Sequence, residues 1–281
     1  MSGQTPQTAT PRPGCFPGRP WLRTRPQGYY EGRLGGGLGE VRDLYLSVII
    51  PAFNEAGTIE HVIDAVLKTT EDLEIVLVDD GSTDTTWNVM QSRVDGDRVR
   101  AFRHDVNGGK GTAIRTGLRE ARGHLVLIQD ADLEYSPADY AALLEPLKTG
   151  RATVVYGSRA FSSHSAYSYW YVVGNRLVTL LTNVLYNCYL SDMETGYKVM
   201  PLEVARSLDL RCDRFDLEPE VTAKLLRLGH RIYEVPISYA ARSRAEGKKL
   251  TAMDGLRALM TLLRFRLWRP RSASTQLAPR G

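Results

Sequence analysis

The sequence predicts an α/β fold with a mostly parallel central sheet and helices on both faces. Three observations predict it. Short apolar, β-branched runs recur from Leu46 onward, they alternate with stretches of helical periodicity, and the first four each run into a cluster of polar and glycine residues.

The elements follow in order. Leu46–Ile50, ending at Pro51, suits a buried parallel strand. Thr58 is placed to cap a helix in which Ile59, Val62, Ile63, Val66 and Leu67 recur at helical spacing. Glu74–Val78 predicts a second strand, Thr83–Val94 a second helix, Val99–Arg103 a third strand and Gly111–Ala121 a third helix. Leu125–Gln129 predicts a fourth strand and Ala152–Tyr156 a fifth. Tyr167–Leu190 is the most apolar long stretch, but Asn175, Arg176, Asn183 and Asn187 interrupt it, so it predicts a partly buried helix and not a membrane span.

The ends have a different composition. Residues 1–43 are rich in Pro, Gly, Arg and Thr and bury too little to offset their ordering entropy, so a disordered extension is expected there. The expected plan is a folded domain over 44–254, a basic amphipathic helix over 255–268 and a disordered tail over 269–281. The chain has 281 residues with 43% apolar and 24% charged, and a formal net charge of +4. Six arginines lie in residues 1–42 and three in 269–281, so the stretch between carries a small acidic excess. That distribution argues against a nucleic-acid-binding core. Cys15, Cys188 and Cys212 show neither metal-ligand spacing nor a disulfide framework. The first 25 residues lack a continuous apolar run and carry five prolines, so no secretory leader is expected. A reduced, cytoplasmic protein is the plain reading.

Ligands of open α/β sheets bind beyond the carboxyl ends of the strands. The first four ends here carry Pro51-Ala-Phe-Asn-Glu55, Asp79-Asp-Gly-Ser-Thr-Asp84, Asn107-Gly-Gly-Lys-Gly111 and Asp130-Ala-Asp132. Each alone could be a turn; four in order on one edge indicate a site. Asp130 and Asp132, one residue apart after a strongly apolar strand, can reach the same hard cation. Mg²⁺ or Mn²⁺ accepts such oxygens and keeps water and phosphate oxygens in its shell. A metal there would neutralise charge on a departing nucleoside diphosphate.

From Leu46 to about Arg266 the chain resembles the family-2 glycosyltransferases of the GT-A fold, and within them the dolichyl- and polyprenyl-phosphate sugar synthases. The resemblance rests on Ser47–Glu55, Val78–Asp84, Asp130–Leu133, Gly157–Arg159, Asp192–Lys198 and Glu246–Lys249. It implies that Pro51, Phe53, Glu55, Val78 and Asp80 line a nucleoside pocket, with Asp79 beside them. It implies that Asp130, Ala131 and Asp132 take the metal and the donor's phosphates and sugar. Arg159 would approach the sugar or an acceptor phosphate, and Arg242, Arg244, Lys248 and Lys249 would form a basic acceptor-side lid. Glu134 stands where such mannose enzymes have Gln, Glu194 where Lys often lies, and Glu-Gly-Lys-Lys replaces Gly-x-Ser-Lys. A UDP-sugar, of glucose or an N-acetylhexosamine, is therefore expected at least as much as a GDP-sugar.

A hydroxyl acceptor needs a general base, and Asp192 stands where hydroxyl-using relatives keep theirs; it could equally orient a basic side chain or bind the sugar. A phosphate monoester is already dianionic near neutral pH and needs cations but no base. The expected acceptor is a lipid phosphate, with peripheral membrane contact at the cytoplasmic face through Gly255–Trp268 and the aromatic stretch Tyr167–Tyr171. Transfer to a saccharide or secondary-metabolite hydroxyl, a sugar-nucleotide pyrophosphorylase and a non-catalytic binding protein stay as alternatives. Asp80→Ala is expected to weaken donor binding with little loss of stability.

Overall fold

The computed structural model describes residues 45–159, 169–214, 216–241 and 252–269. The expectations for residues 1–43, for Arg242, Arg244, Lys248 and Lys249, and for the tail past 269 lie outside the described residues.

Seven strands form one sheet: β1 (Leu46–Ala52), β2 (Leu73–Asp79), β3 (Val99–Arg103), β4 (Leu125–Ile128), β5 (Val154–Ser158), β6 (Lys198–Pro201) and β7 (Ile232–Pro236). Their spatial order is β3-β2-β1-β4-β6-β5-β7. All pairings are parallel except those of β6, which runs antiparallel to β4 and to β5. The sheet is thus mostly parallel, and its fold class is the one the sequence predicts.

The strand sequences explain the burial. In β1, Leu46, Val48 and Ile50 point into one core, while Ile49 points into another on the opposite face. Leu73, Ile75 and Leu77 of β2 join the first core; Val76 and Val78 join the second. A strand buried on both faces is apolar almost throughout, and the two polar exceptions, Ser47 and Glu74, are buried against each other with Ser47 Oγ donating to Glu74 at 2.6 Å. The first core is covered by α1 (Ile59–Leu67) and α4 (Tyr140–Lys148), the second by α3 (Lys110–Glu120), α6 (Leu202–Ser207) and α7 (Leu217–Leu228). The short α2 (Thr86–Ser92) adds Met90 to the first core. Outside α7 lie α5 (Tyr169–Tyr186) and α8 (Ala252–Arg266), joined to it by a third cluster that includes Val178, Ala223, Leu262 and Phe265.

Some expectations need correction. Thr58 precedes α1 but does not cap it; its hydroxyl donates back to the Glu55 carbonyl and carboxylate instead. The second helix begins at Thr86, not Thr83, because Asp84 takes the Thr86 N–H at 2.9 Å and holds residues 83–85 in a turn. The fifth strand begins at Val154, after the Ala152 N–H has bonded the Pro146 carbonyl. The first strand runs through Pro51 to Ala52. The missing N–H is tolerated because the ladder to β4 has stopped at Ile49, while the ladder to β2 continues to Asp79.

That early stop matters for position. The chain proceeds from β1 outward to β2 and β3, then returns to lay β4 on the other side of β1. The sheet therefore changes winding direction between β1 and β4, and in open α/β sheets the crevice that takes a ligand lies at such a point, beyond the carboxyl ends.

Candidate active site

Two loops line one side of the crevice and are stitched together. Asn54, in the left-handed region at φ 57°, receives the Thr83 N–H on its side-chain oxygen at 2.9 Å and donates its own N–H to Ser82 Oγ at 2.9 Å. The Glu55 N–H bonds Thr86 Oγ1 at 2.9 Å. Pro51, Phe53 and Glu55 are thereby fixed against Val78, Asp79 and Asp80, which the sequence reading had grouped as one pocket.

The two aspartates after β2 differ. Asp79 is buried; one oxygen takes the Ser82 N–H at 3.1 Å and the other faces Arg103 Nε at 3.1 Å. Arg103 in turn lies over the Trp87 ring. Asp80 accepts the Gly108 N–H at 3.0 Å, the Gly109 N–H at 2.6 Å and a contact from His104 Nδ1 at 2.8 Å. It is a strut for the glycine loop. The expectation that its removal would barely affect stability is therefore corrected: three hydrogen bonds would be lost from a buried carboxylate. Gly109 has φ 91°, and a Cβ there would stand 2.3 Å from the Asp213 carbonyl, so the close approach requires glycine.

The glycine loop delivers Lys110 to the crevice. Its ammonium bridges Asp130 Oδ1 at 2.8 Å and Glu218 Oε1 at 3.0 Å. Burial works against its charge, but these two carboxylates outweigh burial and hold Lys110 well above the ordinary lysine range. Asp132 Oδ1 accepts the Glu134 N–H at 3.1 Å, which turns the strand-end loop tightly. Ala131 between them is buried. No group of three or more His, Cys, Asp or Glu among the described residues could close around a metal. The pair fits a hard cation that draws its other ligands from a diphosphate and water, the usual habit of Mg²⁺.

A tyrosine floor carries the aspartate loop. Tyr140 and Tyr197 both donate to Gln129 Oε1, at 2.8 and 2.6 Å. Tyr135 stacks on Tyr197 and Tyr239, and Tyr239 donates to Glu134 at 2.7 Å. The Arg159 guanidinium sits over the Tyr239 ring, 5.0 Å from its centroid.

On the far side, the loop entering β6 brings Asp192. Its Oδ2 takes Arg159 Nε at 2.6 Å and the Arg159 backbone N–H at 3.1 Å; its Oδ1 takes Arg159 Nη2 at 2.8 Å and Asn175 Nδ2 at 3.0 Å. Burial pushes the Asp192 carboxyl up. Arg159, aided by Asn175, outweighs burial and holds it below the ordinary carboxylate value. Such a carboxylate is a weak base with its lone pairs engaged.

The crevice thus brings together Pro51, Phe53, Glu55, Val78, Asp79, Asp80, Asp130, Ala131 and Asp132 along its strand ends, with Arg159 and Asp192 on a separate clamp. Sequence reasoning missed Glu218, Asn175, His104 and Tyr239. Lys110 was visible within the glycine run; Glu218 gave no signal, since Glu-Pro-Glu at a helix start reads as ordinary first-turn acid.

The chain is 28% identical over 249 residues to the UDP-N-acetylglucosamine–dolichyl-phosphate N-acetylglucosaminyltransferase of Methanococcus voltae, covering 80% of this chain and 97% of that one. It is 27% identical over 244 residues to a dolichyl-phosphate beta-glucosyltransferase of Trichomonas vaginalis, covering 80% and 74%. Among solved structures, glucosyl-3-phosphoglycerate synthase of Mycobacterium tuberculosis, in complex with Mn²⁺, UDP-glucose and phosphoglyceric acid, superposes with a TM-score of 0.62 at 24% identity over 79% of this chain and 80% of that one. This likeness supports the GT-A fold. The model of glycosyl transferase family 2 matches residues 47–207, more than half of the sequence, and the chain belongs to that family.

Proposed function

We propose that the protein is an inverting hexosyltransferase that moves a sugar from a nucleoside-diphosphate donor to a polyprenyl phosphate at a membrane surface. The observation that carries the reading is the engagement of Asp192 by Arg159 and Asn175. The carboxylate in the position of a general base is committed to an arginine, and a phosphate dianion needs no base. Arg159 would meet that acceptor, with Arg242, Arg244, Lys248 and Lys249 as the further basic groups. Asp130 and Asp132 would hold Mg²⁺ or Mn²⁺, which supplies charge neutralisation for the departing diphosphate. The names of the Methanococcus and Trichomonas relatives, dolichyl-phosphate enzymes for N-acetylglucosamine and glucose, favour the same acceptor class, and that of the Methanococcus enzyme a uridine donor.

Exposed apolar residues support the membrane part. On α8, Met253, Leu256, Met260 and Leu263 recur along the outer side, although Ala258, Leu262 and Phe265 are buried on the inner one. On α5, Leu177, Leu180 and Val184 are exposed in the same way. The two helices pack together, with Tyr186 donating to the Leu262 carbonyl at 2.7 Å. Arg257, Arg264 and Arg266 add positive charge to the apolar face, as expected of an interfacial helix. No helix among the described residues is long and apolar enough to cross a membrane.

The test is a donor panel of UDP-glucose, UDP-N-acetylglucosamine and GDP-mannose with polyprenyl phosphate, free polyprenol or a simple saccharide as acceptor. Transfer confined to the phosphate supports the reading; equal transfer to a hydroxyl overturns it and returns Asp192 to the role of base.

A further inference from the structure

Glu194 lies on the loop entering β6, two residues after Asp192 and two before Gly196. At one end of this span Asp192 grips Arg159. At the other, Gly196 packs so closely on the strand-end aspartate that a Cβ there would stand 2.7 Å from Asp130 Oδ2. Glu194 thus lies in the chain between the residue that grips Arg159 and the residue that packs on Asp130, and its carboxyl feels the charges of Glu218, Lys198, Arg159 and Asp192. A sugar whose diphosphate is held at Asp130 and whose acceptor meets Arg159 would pass close to this stretch.

Its carboxyl is handled unlike those of the buried Glu74 and Glu220. Glu74 is met by Ser47, Arg100 and the Arg122 N–H. Glu220 is met by Lys224 and by the Arg211 and Cys212 N–H groups. Glu194 accepts no hydrogen bond among the described residues: Oε1 is sealed from solvent without a partner, while the residue as a whole keeps partial exposure. Burial, reinforced by the neighbouring Glu218, pushes its carboxyl up against the opposing pull of Lys198 and Arg159. A buried acceptor left open costs stability. Such a cost is commonly kept where a ligand completes the bonding.

We propose that Glu194 receives hydroxyl groups of the transferred hexose and helps decide which hexose the site accepts. The inference rests on the reading of the crevice as a sugar-nucleotide site. Pyranose hydroxyls are donors of the kind an open carboxyl lacks, and a site built to bond a hydroxyl discriminates strongly against sugars that present it elsewhere.

The experiment uses the full chain with Mn²⁺ and measures Kd by calorimetry for UDP, UDP-glucose, UDP-N-acetylglucosamine, GDP and GDP-mannose. For the preferred sugar nucleotide, Glu194→Ala is expected to lose at least tenfold in affinity relative to the bare nucleoside diphosphate, whose own Kd stays within twofold. Glu194→Gln, which keeps a hydrogen-bonding head, should recover part of the loss. The alanine variant should melt within a few degrees of wild type, since the repulsion from Glu218 and the attraction to Lys198 and Arg159 are lost together; a structural role predicts a clear fall. Equal weakening of sugar nucleotide and bare diphosphate, or no change in either, overturns the assignment. A wild type that binds none of these nucleotides overturns the sugar-nucleotide reading itself and this inference with it.

Discussion

Arg159 and Asp192 form a two-pronged ion pair, with Nε 2.6 Å from Oδ2 and Nη2 2.8 Å from Oδ1. The carboxylate is almost wholly buried, so the pair is a fixed unit and not a surface contact. Breaking such a pair from one side leaves the other charge unpaired inside the protein, which costs about 3–5 kcal/mol. Arg159→Ala should therefore lower both stability and transfer. Because the folded pKa of Asp192 is depressed, the pair stabilises the fold above the unfolded carboxylate value of about 3.9, and that stabilisation is lost as pH falls through the folded value. Denaturant midpoints measured from pH 7 downward should converge for wild type and Asp192→Asn.

Asp192→Asn also separates positioning from proton transfer. As a positioning group its loss should reduce turnover by about 10–100-fold, on the order of 1.4–2.8 kcal/mol, without moving the acid limb of the pH–rate profile. Disappearance of that limb would instead identify Asp192 as a base.

Asp132→Asn should nearly abolish transfer while leaving the melting temperature within a few degrees, because Asp132 is partly exposed and an asparagine amide can still accept the Glu134 N–H. A chelator should silence wild type, and Mg²⁺ or Mn²⁺ should restore it. Full activity in chelator would remove the cation from the site.

Asp80→Ala should destabilise by about 3 kcal/mol or more, since it withdraws a buried ionised acceptor from the Gly108 and Gly109 N–H groups and from His104, and each bond to a charged group is worth about 1.5–3 kcal/mol. Thermal unfolding reads this directly. Donor affinity should fall as well, because Lys110 follows the loop that Asp80 holds.

Met260→Glu with Leu263→Glu should leave the fold unchanged, since both side chains are about half exposed on α8. Binding to vesicles containing anionic lipid should weaken by about tenfold or more, as each buried leucine-sized side chain contributes about 1.5–3 kcal/mol. Sedimentation with such vesicles decides it; unchanged binding would show that α8 faces another protein or water.

How much of this was legible in the sequence depends on how each element is buried. β1, β2 and β4 lie in the middle of the sheet and are apolar on both faces, so their runs announce them. β6 is four residues long, begins with the buried Lys198 and ends in Pro201, which no strand pattern describes. β7 reads Ile-Tyr-Glu-Val-Pro and is largely half-exposed as an edge strand, so its apolar signal is weak. In the crevice, Asp79, Asp80, Asp130 and Asp132 were visible because they follow strong strands. The Arg159–Asp192 clamp was not, because its partners are 33 residues apart and meet only through β6. Glu218 reaches Lys110 across 108 residues, a contact that no local pattern encodes.

The antiparallel course of β6 has one more consequence. Tyr156 pairs with Lys198, and the Gly157 N–H bonds the Tyr197 carbonyl at 2.9 Å, so the chain leaves the sheet after Ser158 and re-enters it beside its own point of departure. Everything between is a closed excursion whose two ends are pinned to one edge, and loop closure grows only slowly more costly with length. The nucleotide half, on β1 to β4, meets that excursion near its end, where Tyr197 donates to Gln129 and the Gly196 N–H donates to Tyr135. The part before Asp192 is thus the exchangeable one: grafting the corresponding stretch of a relative between Ser158 and Asp192 should change the acceptor side proposed above, while Glu194, Gly196 and Tyr197 stay in place for the donor half.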